Sequence, residues 1–248
     1  SQLALYGDCP RRYAFRCVER VPAEFHPAAF AFGHGLHAAL EDACARPRGS
    51  SPDLDRAQHR FLRVFRRECA ENPVRFDEGD SPERAERLGL QLVAALLQHL
   101  PFEEVAEAEV SFEVPLGHLL RARPPVVLRG RFDLRFHDGS VGELKTTKRA
   151  LLLPVLRKSP QLRAYVLAAG VREGVFPLLR LIQLRKDGIE QPFSVVELHF
   201  ALPDLADLVR AIERMLAALD RRAFPRRVGP LCRWCEYQGR CLGVGPAS

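Results

Sequence analysis

The sequence predicts an α/β protein, and three observations carry that prediction. Val126 to Lys148 reads as two strands around a tight Asp-Gly turn. Val105 to Leu116 alternates apolar and polar residues just before it. Three Ser-Pro pairs, at Ser51-Pro52, Ser81-Pro82 and Ser159-Pro160, mark helix starts, with Ser as N-cap and Pro at the first helical position.

The chain has 248 residues, enough for one large domain, and 47% are hydrophobic, enough for a substantial core. No window approaches the length of apolar sequence needed to span a bilayer, and the start lacks a signal-peptide core. The expectation is a chain outside the membrane, in a reducing, cytoplasmic setting. The first residue is not Met, as in a segment cut from a longer protein. The net charge is +6, and only four of the 37 basic residues are Lys. Arginine suits bidentate phosphate contacts, although a GC-rich genome produces the same bias.

Ser1 to Val21 reads as a basic helix broken at Cys9-Pro10. Phe30 to Ala45 reads as a helix opening on Gly33-His34-Gly35-Leu36-His37. The two glycines suggest a close approach there, and His34 and His37, three apart, can share a face. Helices are expected from Ser51 to about Ala70 and from Ser81 to about His99, together a lid-like helical insertion over about 51–100. After the strand at 105–116 and a loop at 119–125 comes the hairpin. A helix follows from Ser159 to Gly170, with Gln161 and Tyr165 one turn apart. Strands at 178–185 and 194–200 flank a turn at 186–188, and a long amphipathic helix runs from Leu202 to Phe224.

Two stretches carry chemistry. In the hairpin, Glu143 and Lys145 point to one face, because side chains alternate along a strand, and the partner strand can bring Asp133 beside them. Two carboxylates and an ammonium in an apolar hairpin invite a divalent cation, which takes oxygen ligands. The lysine would then hold or deprotonate the attacking water. An ordinary cross-strand salt bridge uses the same three residues, and the spacing alone does not choose. The second stretch is the tail, where Cys232, Cys235 and Cys241 form Cys-x2-Cys-x5-Cys, a metal-ligand spacing. Three thiolates need a fourth ligand. Cys9 is the candidate, since domain termini often lie close together. Zinc and a [4Fe-4S] cluster both accept four thiolates. Cys17, Cys44 and Cys69 fall in helices and read as structural.

Taken in order, these pieces resemble the RecB-like branch of the PD-(D/E)XK nuclease superfamily, in the iron–sulfur form of CRISPR-associated RecB-like nucleases and of AddAB-type nuclease domains. The motifs are Cys9-Pro10, Gly33 to His37, Gly-Arg-Phe-Asp133, Glu143-Leu144-Lys145, Gln161 to Tyr165, and the three tail cysteines. Phe precedes Asp133 where the superfamily's name has Pro. The resemblance implies a restriction-endonuclease-like mixed sheet of four or five strands flanked by helices, in a single domain over 1–248. It implies Mg2+ or Mn2+ on His37, Asp133, Glu143 and the Leu144 carbonyl, with Asp133, Glu143 and Lys145 catalytic. Gln161 and Tyr165 would hold the DNA strand. Cys9, Cys232, Cys235 and Cys241 would bind a [4Fe-4S] cluster joining the tail (230–242) to the N-terminal helix. The implied activity is DNA hydrolysis at single strands or ends, exonucleolytic, in repair, recombination or CRISPR adaptation. Helicase or CRISPR adaptation proteins are the implied partners. The alternatives are a non-catalytic nucleic-acid-binding module with a four-cysteine zinc site, and the nuclease subunit of a larger helicase–nuclease.

Overall fold

The computed structural model describes residues 1–47, 49–117, 119–120, 126–148, 150–187 and 191–243. Parts of the expected 119–125 loop and 186–188 turn lie outside them. Helix α1 (Gln2–Asp8) and α2 (Pro10–Tyr13) meet at Cys9, and a π-helical turn (Ala14–Val18) follows. Strand β1 (His26–Pro27) precedes α3 (Ala28–Cys44) and α4 (Leu54–Glu71). Strand β2 (Val74–Arg75) pairs with β1 in a two-residue parallel ladder, and α5 (Pro82–His99) follows. Ser81 caps α5 as the sequence predicts, but α4 is capped by Asp53 rather than Ser51. The Asp53 carboxylate accepts the Arg56 N–H at 3.0 Å, a cap as good as serine's.

The sheet then forms from β3 (Val105–Pro115), β4 (Val127–Phe136), β5 (Val141–Thr147), β6 (Leu179–Arg185) and β7 (Phe193–Leu198), in that spatial order. Within this sheet β5 and β6 pair in parallel and the other neighbours are antiparallel. Their crossover carries α6 (Leu153–Arg157) and α7 (Pro160–Gly170), as a parallel connection requires. The β4–β5 turn is fixed by Asp138, whose carboxylate accepts the Ser140 N–H at 2.9 Å, and by Gly139 at φ +83°. Helix α8 (Leu202–Asp220), a 3-10 turn (Pro230–Trp234) and α9 (Gln238–Leu242) close the fold. No described helix is long and apolar enough to cross a membrane.

Two cores sandwich the sheet. On one face Leu134, Phe136, Leu144, Ile182 and Leu184 pack against α3, α4 and α5. On the other, Phe132, Val141, Leu179, Leu181 and Leu198 pack against α7 and α8. The expected lid-like segment thus joins α3 in one helical layer: Phe61, Phe65, Leu92 and Leu96 are buried in the core on that face of the sheet. Phe61 is wedged between α3 and α5. A methyl group at Gly35 would lie 2.7 Å from its ring, and one at Gly89 only 1.9 Å. The close approach expected at the α3 glycines is therefore to Phe61, through Gly35. Gly33 faces open space. Gly89→Ala is expected to destabilise the protein by about 1–3 kcal/mol, as overpacking does. Gly33→Ala should be neutral or slightly stabilising in a helix. Denaturant midpoints of the two variants check this pair.

Candidate active site

Both strands of the β3–β4 pair change face in the middle. Val110 and Phe132, cross-strand partners, belong to the α7–α8 core, whereas the next partners, Ala108 and Leu134, belong to the α3–α5 core. Between them lie Glu109 and Asp133. Glu109 makes the switch: among the described residues it is one of three non-glycine residues in the left-handed region, at φ +55°. That backbone turns its carboxylate inward, where the side chain is 6% exposed.

The partner hairpin opens at the same level. Strands β4 and β5 pair only at Leu134–Gly142 and Arg135–Val141. Asp133 fills the opening, accepting the Leu144 N–H at 2.7 Å. Across it comes His37 of α3, whose Nδ1 lies 3.0 Å from Glu109 and 3.6 Å from Asp133. His37, Glu109 and Asp133 can thus offer three ligand atoms mutually within 4.8 Å. Arg131 pairs with the other Glu109 oxygen at 2.7 Å. His34, three residues before His37, turns instead toward Glu68 on α4, at 3.3 Å.

Glu143 and Lys145 share a face of β5, as alternation predicts, and are ion-paired. Glu143 is buried, and its second oxygen, Oε2, has no hydrogen-bond partner. Gln161 on α7 accepts a hydrogen bond from the Lys145 ammonium at 3.1 Å and stands 3.5 Å from the Tyr165 hydroxyl. Tyr165 is buried edge-on against Phe112 and Phe132. The α7 pair therefore backs the lysine. Tyr165 keeps its proton, because burial and then the nearby Glu143 and Asp133 charges push its phenol up.

The electrostatics suit a divalent cation. Burial raises the Asp133 carboxyl well above its ordinary value, and Glu143 raises it further. The His37 ring and the Leu144 N–H oppose the shift. Burial lowers the His37 value, but its hydrogen bond to Glu109 and the Asp133 charge outweigh that, and the net direction is up. Buried carboxylates crowded together, one with an orphaned oxygen, are the donor set a hard divalent ion takes. A pH dependence follows. Both shifts are upward, so without metal the native state holds protons that the unfolded state, titrating near about 4 and about 6.5, has released. The stability they contribute is present at low pH and lost as pH rises through the folded values. In EDTA the melting temperature is expected to fall between about pH 5 and pH 8, and Mn2+ should flatten that slope and raise the transition at the alkaline end. Thermal melts across pH check it.

The four cysteines also come together. Cys9, Cys232, Cys235 and Cys241 line one cavity of about 160 Å3, with Arg12, Arg226 and Arg227 around it. Burial raises the thiols of Cys235 and Cys241. The tail has other fastenings to the N-terminal segment. Glu236, buried, pairs with Arg12 at 2.6 Å, the Tyr237 ring lies 5.4 Å from Phe15, and Glu24 accepts the backbone N–H groups of Gly239 and Arg240.

Of the residues expected from sequence, His37 and Asp133 converge directly. Glu143, Lys145, Gln161 and Tyr165 form the adjoining chain. Glu109 is the residue sequence reasoning missed. Strict alternation in β3 assigns it to the face of Glu107, and only the left-handed turn of its backbone sends it inward.

Mixed sheet, clustered carboxylates, histidine and lysine together define the class of metal-dependent nucleases. The chain matches the PD-(D/E)XK nuclease superfamily over residues 1–242 and belongs to it. Members of that superfamily use divalent metals on nucleic acid. A protein of Eubacterium rectale, provisionally described as an exonuclease, has a crystal structure that aligns with a TM-score of 0.59 at 10% identity, over 95% of this chain and 86% of that one. It shares the fold. A second solved structure, of SSO0001, aligns at 18% identity over 86% of this chain and 95% of that one, with a TM-score of 0.42. No curated protein matches the chain.

Proposed function

We propose that this chain hydrolyses DNA phosphodiester bonds using Mg2+ or Mn2+ held by His37, Asp133, Glu143 and the Leu144 carbonyl, with Glu109 as a further ligand. The observation that carries the reading is the buried meeting of His37, Glu109 and Asp133 beside a Glu143 oxygen with no partner. A divalent ion there supplies Lewis-acid polarisation of the phosphate and a water activated near neutral pH. Lys145, braced by Glu143 and Gln161, positions that water and offers its ammonium to the charge developing on phosphate. Gln161 and Tyr165 set the lysine from behind, and Gln161, half-buried, also reaches the DNA strand.

Four thiolates from Cys9, Cys232, Cys235 and Cys241 hold a [4Fe-4S] cluster in the tail cavity. The chain acts on single strands or ends as an exonuclease, in repair, recombination or CRISPR adaptation, alongside a helicase or adaptation proteins.

The test is cleavage of end-labelled DNA in Mn2+ by wild type and by the Glu143→Ala and Glu109→Gln variants. Wild type should cleave. Glu143→Ala should lose at least about 100-fold, in the range for a group acting at the reacting centre. Glu109→Gln should weaken Mn2+ binding measured by calorimetry. Cleavage that survives Glu143→Ala would remove this site from the reaction.

A further inference from the structure

A groove of about 1020 Å3 lies between α1, the π-helical turn and α3, and Leu231 and Trp234 of the cysteine tail also line it. Its floor follows the same stripe of α3 that carries His37. Phe30, His34 and His37 are spaced i, i+4 and i+7, one face of a helix, and seven residues of rise separate Phe30 from His37 by about 10 Å. Phe30 and His34 are exposed, and both line the groove.

The walls are basic and aromatic. Arg16 and Arg20 are exposed along one side, and His26 adds to them. Asp8 and Glu68 are the lining carboxylates. The Arg16 guanidinium lies 5.4 Å from the Phe30 ring centre. Trp234, 41% exposed, occupies the span between Cys232 and Cys235. Arg75 stacks between Phe25, at 4.8 Å, and Trp234, at 5.2 Å. The β1–β2 ladder, His26 against Val74 and Pro27 against Arg75, brings these groups together.

We infer that this groove is the track for a single nucleic-acid strand on its way to the catalytic centre, and that the cysteine tail serves it by presenting Trp234 as a stacking platform. The inference rests on the nuclease reading above and adds to it a binding path. A positively lined groove with exposed aromatic rings at intervals is how single strands are bound irrespective of sequence: cations track the backbone and bases stack on the rings. A duplex keeps its bases paired and offers the rings nothing to stack on. The tail thereby gains a role beyond fastening the chain ends, since its Leu231 and Trp234 line the track.

The experiment measures binding of fluorescently labelled oligo(dT) and of a blunt hairpin duplex by anisotropy in EDTA, across a salt series. Wild type is compared with Trp234→Ala, Trp234→Phe and the double variant Arg16→Glu/Arg20→Glu, each with its melting temperature and iron content recorded. For Trp234→Ala, oligo(dT) affinity should fall about 10-fold, the size of one lost base–aromatic stack, with duplex affinity little changed. Trp234→Phe should restore most of that loss. The double variant should lose binding and also flatten the log–log salt dependence by about 1.4, from about 0.7 per phosphate contact on a single strand. Variants that keep their iron and melting temperature and bind oligo(dT) like wild type would overturn the inference, as would an equal loss on duplex and single strand. A wild type that binds oligo(dT) through this groove but cleaves no DNA in Mn2+ would sink the nuclease reading instead.

Discussion

Lys145→Ala is expected to abolish DNA cleavage while leaving Mn2+ binding nearly intact. The lysine touches Glu143 and Gln161 and is not itself a ligand in the His37–Glu109–Asp133 cluster. Its ammonium acts on the water and on the phosphate charge, a contribution of about 10²–10⁴-fold in rate. Removing it frees Glu143 of its ion pair, so calorimetry should show unchanged or slightly tighter Mn2+ binding. Asp133→Ala should lose both properties, because it takes a charged ligand and also strands the Leu144 N–H that Asp133 accepts. If Mn2+ affinity collapses with activity in Lys145→Ala, the lysine belongs to the metal's coordination and the division of labour is wrong.

The second large effect is at the tail. Cys232→Ser is expected to remove iron and sulfide, about four of each per chain in the wild type, and to make the tail after about residue 229 sensitive to protease. Cys9 and Cys232 stand 223 positions apart in sequence, so the site closes nearly the whole chain, and clips on long loops gain most. The remaining fastenings, Arg12 to Glu236 and Glu24 to α9, should keep the protein folded. Mn2+ binding at Asp133 and Glu143 should therefore survive in the soluble fraction. Anaerobically purified wild type should be brown and bleach with dithionite. Colourless wild type carrying one zinc would refute the cluster and leave the carboxylate site standing.

Much of the fold was legible because its signals are local. Serine–proline starts placed α5 and α7, the Asp-Gly turn placed β4 and β5, and period-two alternation put Glu143 beside Lys145. The closeness of the chain ends, expected of a domain's termini, is what brings Cys9 into one cavity with the tail cysteines. What was not legible depends on events that leave no periodic trace. Glu109 is read as outward by alternation and turned inward by one backbone angle. Helix α6 and the β1–β2 ladder are too short to carry a pattern. The role of α4 and α5 as a core layer is set by Phe61 and Phe65 meeting α3, a tertiary fact.

The left-handed backbone at Glu109 also bears on how the chain trades stability against function. For a residue with a side chain this conformation costs about 1–2 kcal/mol, and glycine would escape it. Glu109 is moreover crowded by Asp133 through the ring of His37. Without a metal the fold thus carries backbone strain and charge crowding at the point where its carboxylates meet. Substitutions chosen for thermostability alone, such as Glu109→Gly, would favour exchanging a ligand for a relaxed strand. A search for more stable variants in chelator will therefore drift toward dead enzyme, whereas the same search in Mn2+ should keep the residue, because the bound ion turns its charge from a liability into an attachment point.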